Sequence, residues 1–250
     1  MEFIGIIPAR YASSRFPGKP LAMIGSMTMI ERVYRQAAKV LDEVIVATDD
    51  TRISDAVKSF GGRAIMTSPD HPSGTDRVYE AYTLSGSAAP VIINIQGDEP
   101  FIDPRQIELL KSCFNDAGTD IATLVRKFDP AAGFDALKNP NTPKVVTDTR
   151  GRALYFSRSV IPYFRGAEPE EWPFKTQYLT HVGIYAYRAE VLSQLVKLPR
   201  SPLEIAESLE QLRWLQNGFT IMTAVTDCPT IGIDTPDDLV RAIEYLEHLK

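Results

Sequence analysis

Arg10, Arg15 and Lys19 fall within one loop that contains no acidic residue, Pro8-Ala9-Arg10-Tyr11-Ala12-Ser13-Ser14-Arg15-Phe16-Pro17-Gly18-Lys19-Pro20. The chain as a whole carries a net charge of −5, so this local surplus of cation runs against its background. An apolar run over residues 3–7 precedes the loop and reads as a buried strand, and helical periodicity resumes near Thr28. In an open α/β sheet, a long loop after the first strand lies outside the strands' carboxyl ends, where ligands bind. Arginine forks grip phosphate oxygens two at a time, and lysine sets a compact charge beside a leaving group. The loop is expected to wrap a strongly anionic ligand, the phosphates of a nucleotide. It does so without the familiar fingerprints. No G-x-G-x-x-G follows the strand, and a Walker A reading meets Ser13 at its first glycine and Pro20 at its hydroxyl position.

Acidic groups that could complement this loop come from distant segments. The run Asn94-Ile95-Gln96-Gly97-Asp98-Glu99-Pro100 closes a strand candidate, so Gln96 and Asp98 emerge at a strand's carboxyl end. Gly97 permits close backbone approach, and Asp98 offers an oxygen to Mg²⁺. Glu99 competes for that role, and an aspartate after a strand also serves as a turn or cap. Asp234, in Gly232-Ile233-Asp234-Thr235-Pro236, is the second acid; its alternative is to cap the last helix. Two carboxylates converging on one Mg²⁺ would hold phosphate oxygens and lower the pKa of an attacking hydroxyl. A third segment, His71-Pro72-Ser73-Gly74-Thr75-Asp76-Arg77, reads as a turn entering a helix. Ser73, Gly74 and the first helical amides could cradle a phosphate or read a base edge, with Arg77 adding charge. Residues 178–187 and 202–213 interleave polar and apolar side chains, among them His181, Glu207 and Glu210. These could bind a polyhydroxylated substrate, or be a core histidine and a solvated helix face.

The elements that must position these groups alternate up to about residue 127. Strand candidates are residues 3–7, 44–47, 63–66, 91–95 and 121–125, separated by helix-length amphipathic segments. Ile30, Val33, Tyr34, Ala37 and Ala38 recur at helical spacing, as do Ile107, Leu110 and Phe114 after Asp103-Pro104. The alternation predicts an α/β fold with right-handed crossovers and a mostly parallel sheet. Beyond Pro130 the rhythm breaks. A hairpin is expected around Arg150-Gly151, an exposed polar loop over 165–173, a strand over 181–187 and one helix over 202–215. A last helix is expected from Thr235-Pro236-Asp237-Asp238, where two acids oppose the positive end of the dipole. The middle third thus reads as an appendage to one α/β domain spanning residues 1–250.

Bulk properties narrow the class. With 250 residues, 44% apolar and 24% charged, the composition is that of an ordinary globular enzyme. No apolar run reaches about 18 residues, so no membrane span is expected, nor is a secretory signal read at the start. Cys113 and Cys228 lack metal-ligand spacing and read as reduced packing thiols in a cytoplasmic protein. Net negative charge without a basic cluster argues against nucleic acid as a partner.

In order and separation, the runs 7–20, 71–77, 94–100, 154–162, 181–187, 201–213 and 232–239 together resemble the 3-deoxy-manno-octulosonate cytidylyltransferase family. The resemblance implies a Rossmann-like fold of the nucleotide-diphospho-sugar transferase type, with residues 140–190 as a dimerisation appendage in a homodimer. It implies an Mg²⁺-dependent nucleotidyltransferase whose partners are CTP and the acidic sugar Kdo. The sugar's anomeric 2-hydroxyl would attack the α-phosphorus, giving pyrophosphate and CMP-Kdo for lipopolysaccharide biosynthesis. By position, Arg10, Arg15, Lys19, Ser73, Gly74 and Arg77 would contact CTP, and Asp98 and Asp234 would hold the metal. Lys19, Asp98 and Asp234 would be the catalytic set. Gln96, Arg158, His181, Tyr185, Glu210 and Gln211 would line the sugar pocket, with Arg158 on the sugar carboxylate. No covalent intermediate is expected. The competing readings are a cytidylyltransferase for another acidic sugar such as sialic acid, a non-catalytic CTP-binding module, and a glycosyltransferase using a nucleotide-sugar donor.

Overall fold

A computed structural model describes residues 1–12 and 15–248, with His248 described by its backbone only; Ser13 and Ser14 of the basic loop lie outside the described residues. Along the chain, β1 (Phe3–Ala9), β2 (Met23–Ile24) and β3 (Met27–Thr28) lead into α1 (Met29–Ala37), β4 (Glu43–Thr48), α2 (Thr51–Ser59) and β5 (Ala64–Met66). Then come α3 (Gly74–Ser85), β6 (Val91–Asn94), α4 (Pro104–Cys113), β7 (Ile121–Lys127) and α5 (Gly133–Leu137). They are followed by β8 (Lys144–Thr147), β9 (Ala153–Ser157), α6 (Trp172–Lys175), β10 (Leu179–Arg188) and α7 (Ala189–Leu195). The chain closes with α8 (Pro202–Glu207), α9 (Gln211–Gln216), β11 (Ile221–Val225) and α10 (Pro236–His248). It gathers into two compact units, one of residues 1–108, 188–196 and 228–250, the other of residues 109–187 and 197–227.

The first unit is built on parallel strands. β1 pairs with β4 on one side and β6 on the other, and β4 pairs with β5. Strands covered on both faces must be apolar throughout, and Ile4, Ile6, Ile7, Val46, Ile92 and Ile93 are wholly buried. Each such side chain contributes on the order of 1.5–3 kcal/mol by leaving water. Helix α1 starts where the Thr28 hydroxyl accepts the Glu31 amide at 3.3 Å, and it buries Met29, Ile30, Val33 and Ala37. The expected strands and α1 fall where the apolar periodicity puts them; α2 and α7 lie in segments for which that periodicity names no helix.

The second unit carries a mixed sheet. β7 pairs parallel with β11 and antiparallel with β10, and β8 pairs antiparallel with both β10 and β9. The expected hairpin is β8–β9, turned at Gly151 with φ +82°, where the Asp148 carboxylate accepts the Arg150 and Arg152 amides. Two expectations are corrected. Residues 165–173 are not simply an exposed loop: a short turn over Pro169–Glu171 runs into α6, and Trp172 is buried against Leu137 and Tyr178. The indole's apolar area outweighs its polar neighbours, and its Nε1–H donates to Ala167 O at 3.0 Å. Residues 202–215 do not form one helix. They break at Ser208, whose φ of 51° and ψ of 48° end α8, and α9 restarts at Gln211. No helix among the described residues is long and apolar enough to cross a membrane.

Candidate active site

The first unit's strand order places a site. From β1 the chain passes to β4 and β5 on one side, then returns to β6 on the other, so the direction of winding reverses between β1 and β6. Outside the carboxyl ends of strands at such a reversal, a crevice opens. Arg10 lifts off the end of β1, and Gln96-Gly97-Asp98 follow β6. The approach is close, because a Cβ at position 97 would lie 2.9 Å from the Pro8 carbonyl oxygen. Only glycine lets the two loops lie against each other here. A cleft of about 330 Å³ results, lined by Arg10, Arg15, Lys19, Ser73, Gly74, Arg77, Gln96, Asp98 and Asp234. The candidates read for the nucleotide, together with Gln96, Asp98 and Asp234, meet in this one cleft, whereas Glu99, the competing metal candidate, is not among its lining residues.

Its centre is an ammonium held between two carboxylates. Gly18, at φ +74°, donates its amide to Tyr11 O at 2.9 Å and turns the loop so that Lys19 faces inward. Lys19 Nζ donates to Asp98 Oδ2 at 2.8 Å and to Asp234 Oδ1 at 3.3 Å. Arg15 Nη2 reaches the same Asp234 oxygen at 3.1 Å, but that pair is half in solvent and contributes little. The acids are brought together through the backbone as well: the Ile233 amide donates to Asp98 O at 2.9 Å. Capping of α10 falls to Thr235 and Asp238. The Thr235 hydroxyl accepts the Asp238 amide at 3.2 Å, and the Asp238 carboxylate accepts the Asp234 and Thr235 amides. The Thr235 hydroxyl and then the Asp234 amide, both donating to Asp238, hold its carboxyl down at about 2. Asp234 therefore keeps its own carboxylate for the cleft.

Helix α3 aims its amino end at the same space. Ser73 caps it, accepting the Asp76 amide at 3.3 Å, and Gly74 opens it, so amides and the positive end of the dipole line the wall. Arg77 lines the cleft yet is buried, its Nη1 donating to Thr67 Oγ1 at 2.6 Å and its Nη2 to Asp49 Oδ2 at 3.0 Å. The sequence names no partners for it. Asp49 follows β4 at a strand's carboxyl end, the same signal that singles out Asp98. Nor does the sequence assign His71 a role: its Nε2 lies 2.5 Å from Glu80 Oε2, which also accepts the Ser68 amide at 2.8 Å. Burial pushes the Glu80 carboxyl up, but these bonds outweigh it and hold the group below its ordinary range.

The remaining sugar candidates belong to the second unit. His181 and Tyr185 flank an irregularity of β10, where the register against β7 shifts between Val182 and Tyr185. Thr123 Oγ1 donates to Ile184 O at 2.8 Å, so its lone pair meets the Nε2–H of His181 at 3.0 Å. His181 is half-buried, its ring packs against Phe156 and Tyr185, and desolvation pulls its pKa down to about 4. Burial raises the Tyr185 phenol. Gln211 is buried, and Glu210 pairs with Arg213 at 2.7 Å. The family resemblance puts Arg158 on the sugar carboxylate. In the structure its guanidinium donates to the carbonyls of Glu207, Pro140 and Ser208.

Known proteins resemble this chain in sequence and fold. Residues 4–222 match the family described as Cytidylyltransferase. A 3-deoxy-manno-octulosonate cytidylyltransferase from Phocaeicola vulgatus is 58% identical over 99% of this chain and 98% of its own. One from Geobacter metallireducens is 45% identical over the whole of both chains. A solved structure of CMP:2-keto-3-deoxy-manno-octonic acid synthetase complexed with CTP shares 46% identity over both full chains, with a TM-score of 0.91. The 4-diphosphocytidyl-2C-methyl-D-erythritol synthase of Anaerococcus prevotii, at 14% identity, a TM-score of 0.62 and coverage of 98% of this chain and 99% of its own, shares the fold. The chain belongs to the cytidylyltransferase family, among the 3-deoxy-manno-octulosonate cytidylyltransferases.

Proposed function

We propose that the protein transfers CMP from CTP to the anomeric 2-hydroxyl of Kdo, releasing pyrophosphate and yielding CMP-Kdo for lipopolysaccharide assembly. One observation carries the reading. A cationic loop, a helix amino end and two carboxylates meet in one cleft at the winding reversal, in a chain 58% identical to a protein of that name. The sugar oxygen bonds to the α-phosphorus, the bond to pyrophosphate breaks, and the hydroxyl proton leaves to solvent. No side chain need become a nucleophile. Arg10, Lys19 and the amides of Ser73 and Gly74 hold the triphosphate in line and neutralise the departing charge.

We assign the metal to Asp98 and Asp234. Both converge on one point, Lys19 Nζ, and their hard oxygens suit Mg²⁺, which takes one or two carboxylates and completes its shell from phosphates and water. When bound, the ion would neutralise phosphate charge and activate the sugar hydroxyl. Lys19 holds the position between the acids and can turn its three donors to a phosphate. Gln96 stands in the same cleft and would contact the sugar. We assign further sugar contacts to His181, Tyr185, Glu210 and Gln211. We also read the protein as a cytoplasmic homodimer with subunit contacts from residues 140–190, supported by the family resemblance and tested by sedimentation.

Pyrophosphate release measured with CTP and Mg²⁺ tests the function. Kdo should support release and sialic acid should not, and omission of CTP, sugar or metal should abolish it. Release with sialic acid instead would overturn the sugar assignment. CTP binding without release on either sugar would favour a binding module.

A further inference from the structure

Among the described residues, Ser208 is the one non-glycine residue with positive φ. A side chain in this left-handed region crowds its Cβ against the following carbonyl, so the conformation needs support from outside. Arg158, just past the end of β9, supplies it. Its Nε donates to Glu207 O at 2.5 Å, its Nη2 to Ser208 O at 3.2 Å and its Nη1 to Pro140 O at 2.8 Å. The last carbonyls of a helix lack partners of their own, and a cation there also opposes the negative end of the dipole. The grip is reciprocal, because the Glu207 carboxylate accepts the Arg158 amide at 2.9 Å and the Ser157 hydroxyl at 2.7 Å. Arg158 is itself pinned from behind: its carbonyl accepts Lys144 Nζ at 2.6 Å, and that buried ammonium also donates to Asn139 O and Thr142 O.

Helix α9 begins just beyond this elbow. Gln211 opens it, 3% exposed, with an Nε2 that has no hydrogen-bond partner. Glu210 precedes it, and Trp214 is wholly buried, edge-on to Tyr185 and Tyr187. We propose that Arg158 is a positioning residue for the sugar half of the reaction. By gripping the Glu207–Ser208 elbow it sets where α9 begins and so where Glu210 and Gln211 stand, and it does not itself bind the sugar carboxylate. This role rests on the proposed contact of Glu210 and Gln211 with Kdo.

Glycine adopts the left-handed conformation without the steric penalty, so Ser208→Gly should restore the elbow when the grip is removed. Kinetics on the full chain should show Arg158→Ala raising KM for Kdo about tenfold, the worth of one or two hydrogen bonds, with KM for CTP unchanged. Arg158→Lys, which keeps the charge but loses the fork, guards against a variant that fails to fold and should fall between. Adding Ser208→Gly to either should bring KM for Kdo back to within about threefold of wild type. A second readout needs no substrate. In a Trp172→Phe background Trp214 is the remaining tryptophan, and acrylamide quenching of its fluorescence should rise with Arg158→Ala and fall back with Ser208→Gly. A raised KM for Kdo with Trp214 unchanged and no rescue by glycine overturns the proposal in favour of direct contact. A rescued Trp214 response with KM for Kdo unmoved overturns the assignment of α9 to the sugar instead.

Discussion

Lys19 concentrates the proposed chemistry at the scale of single residues. Only 14% of its side chain is exposed, and it faces Asp98 at 2.8 Å, so the pair is shielded in a way that the Arg15–Asp234 pair is not. Preorganised charge beside a leaving group is worth about 10²–10³ in turnover. Lys19→Ala and Asp98→Asn should each lower kcat by that order with far-ultraviolet circular dichroism unchanged, and Lys19→Ala should leave KM for Kdo within a few-fold. An effect of Lys19→Ala on sugar affinity alone would contradict its phosphate role. His181 is a residue-scale matter of stability. Its pKa is about 4 in the folded protein against 6.5 ordinarily, because burial disfavours the imidazolium. Between those values the unfolded chain binds the extra proton, so folding stability is lost as pH falls from about 6.5 to 4 and then levels off. The loss is up to about 3 kcal/mol at 1.36 kcal/mol per pKa unit. Denaturant unfolding across that window should be less steep in pH for His181→Gln than for the wild type.

At the scale of elements, the start of α10 does two tasks with two neighbouring groups. Thr235 and Asp238 satisfy its free amides, which leaves the Asp234 carboxylate for the cleft. Thr235→Ala should cost about 1 kcal/mol in thermal unfolding, the usual worth of a cap, and lower kcat several-fold by loosening Asp234. Unchanged kinetics with the expected loss of stability would separate the cap from the site. The pH dependence has a definite direction. Asp238 titrates at about 2, below its ordinary 3.8, so its contribution is complete above pH 4 and lost as pH falls toward 2. The stability difference between wild type and Asp238→Asn should therefore close over that interval.

At the scale of the whole molecule, the cleft proposed for the nucleotide belongs entirely to the first compact unit. A ligand that binds only the folded protein stabilises it by about 2.7 kcal/mol at one hundred times its Kd. For a chain of this size that corresponds to a rise in Tm of about 5–10 °C. CTP should produce that rise and GTP a smaller one at equal concentration, read by thermal scanning. An equal rise with inorganic triphosphate would mean that the phosphates alone carry the binding.

Much of the fold was legible because its signals are local. The apolar runs of β1, β4 and β6, the spacing in α1, and Thr235-Pro236 before α10 are contiguous patterns with strand or helix periods, and the structure follows them. The same holds for the groups that can carry charge: a basic loop after a strand, Gln96-Gly97-Asp98 after another, Ser73-Gly74 before a helix. The break at Ser208 was not legible, since apolar spacing continues across it and serine carries no breaker signature; the support comes from Arg158, 50 residues away. Nor was the burial of Trp172, which depends on Leu137 and Tyr178 being near it. By itself the sequence determined which side chains could do the chemistry and on which element ends they stand, because side-chain type and backbone periodicity are properties of short segments. Only the tertiary structure decided their partners: Lys19 with Asp98 and Asp234, 79 and 215 residues distant, Arg77 with Asp49, Arg158 with main-chain carbonyls. The pairings of the cleft result from strand order and the reversal between β1 and β6, and the grip of Arg158 from the fold of the second unit, neither of which hydrophobic spacing along one strand encodes.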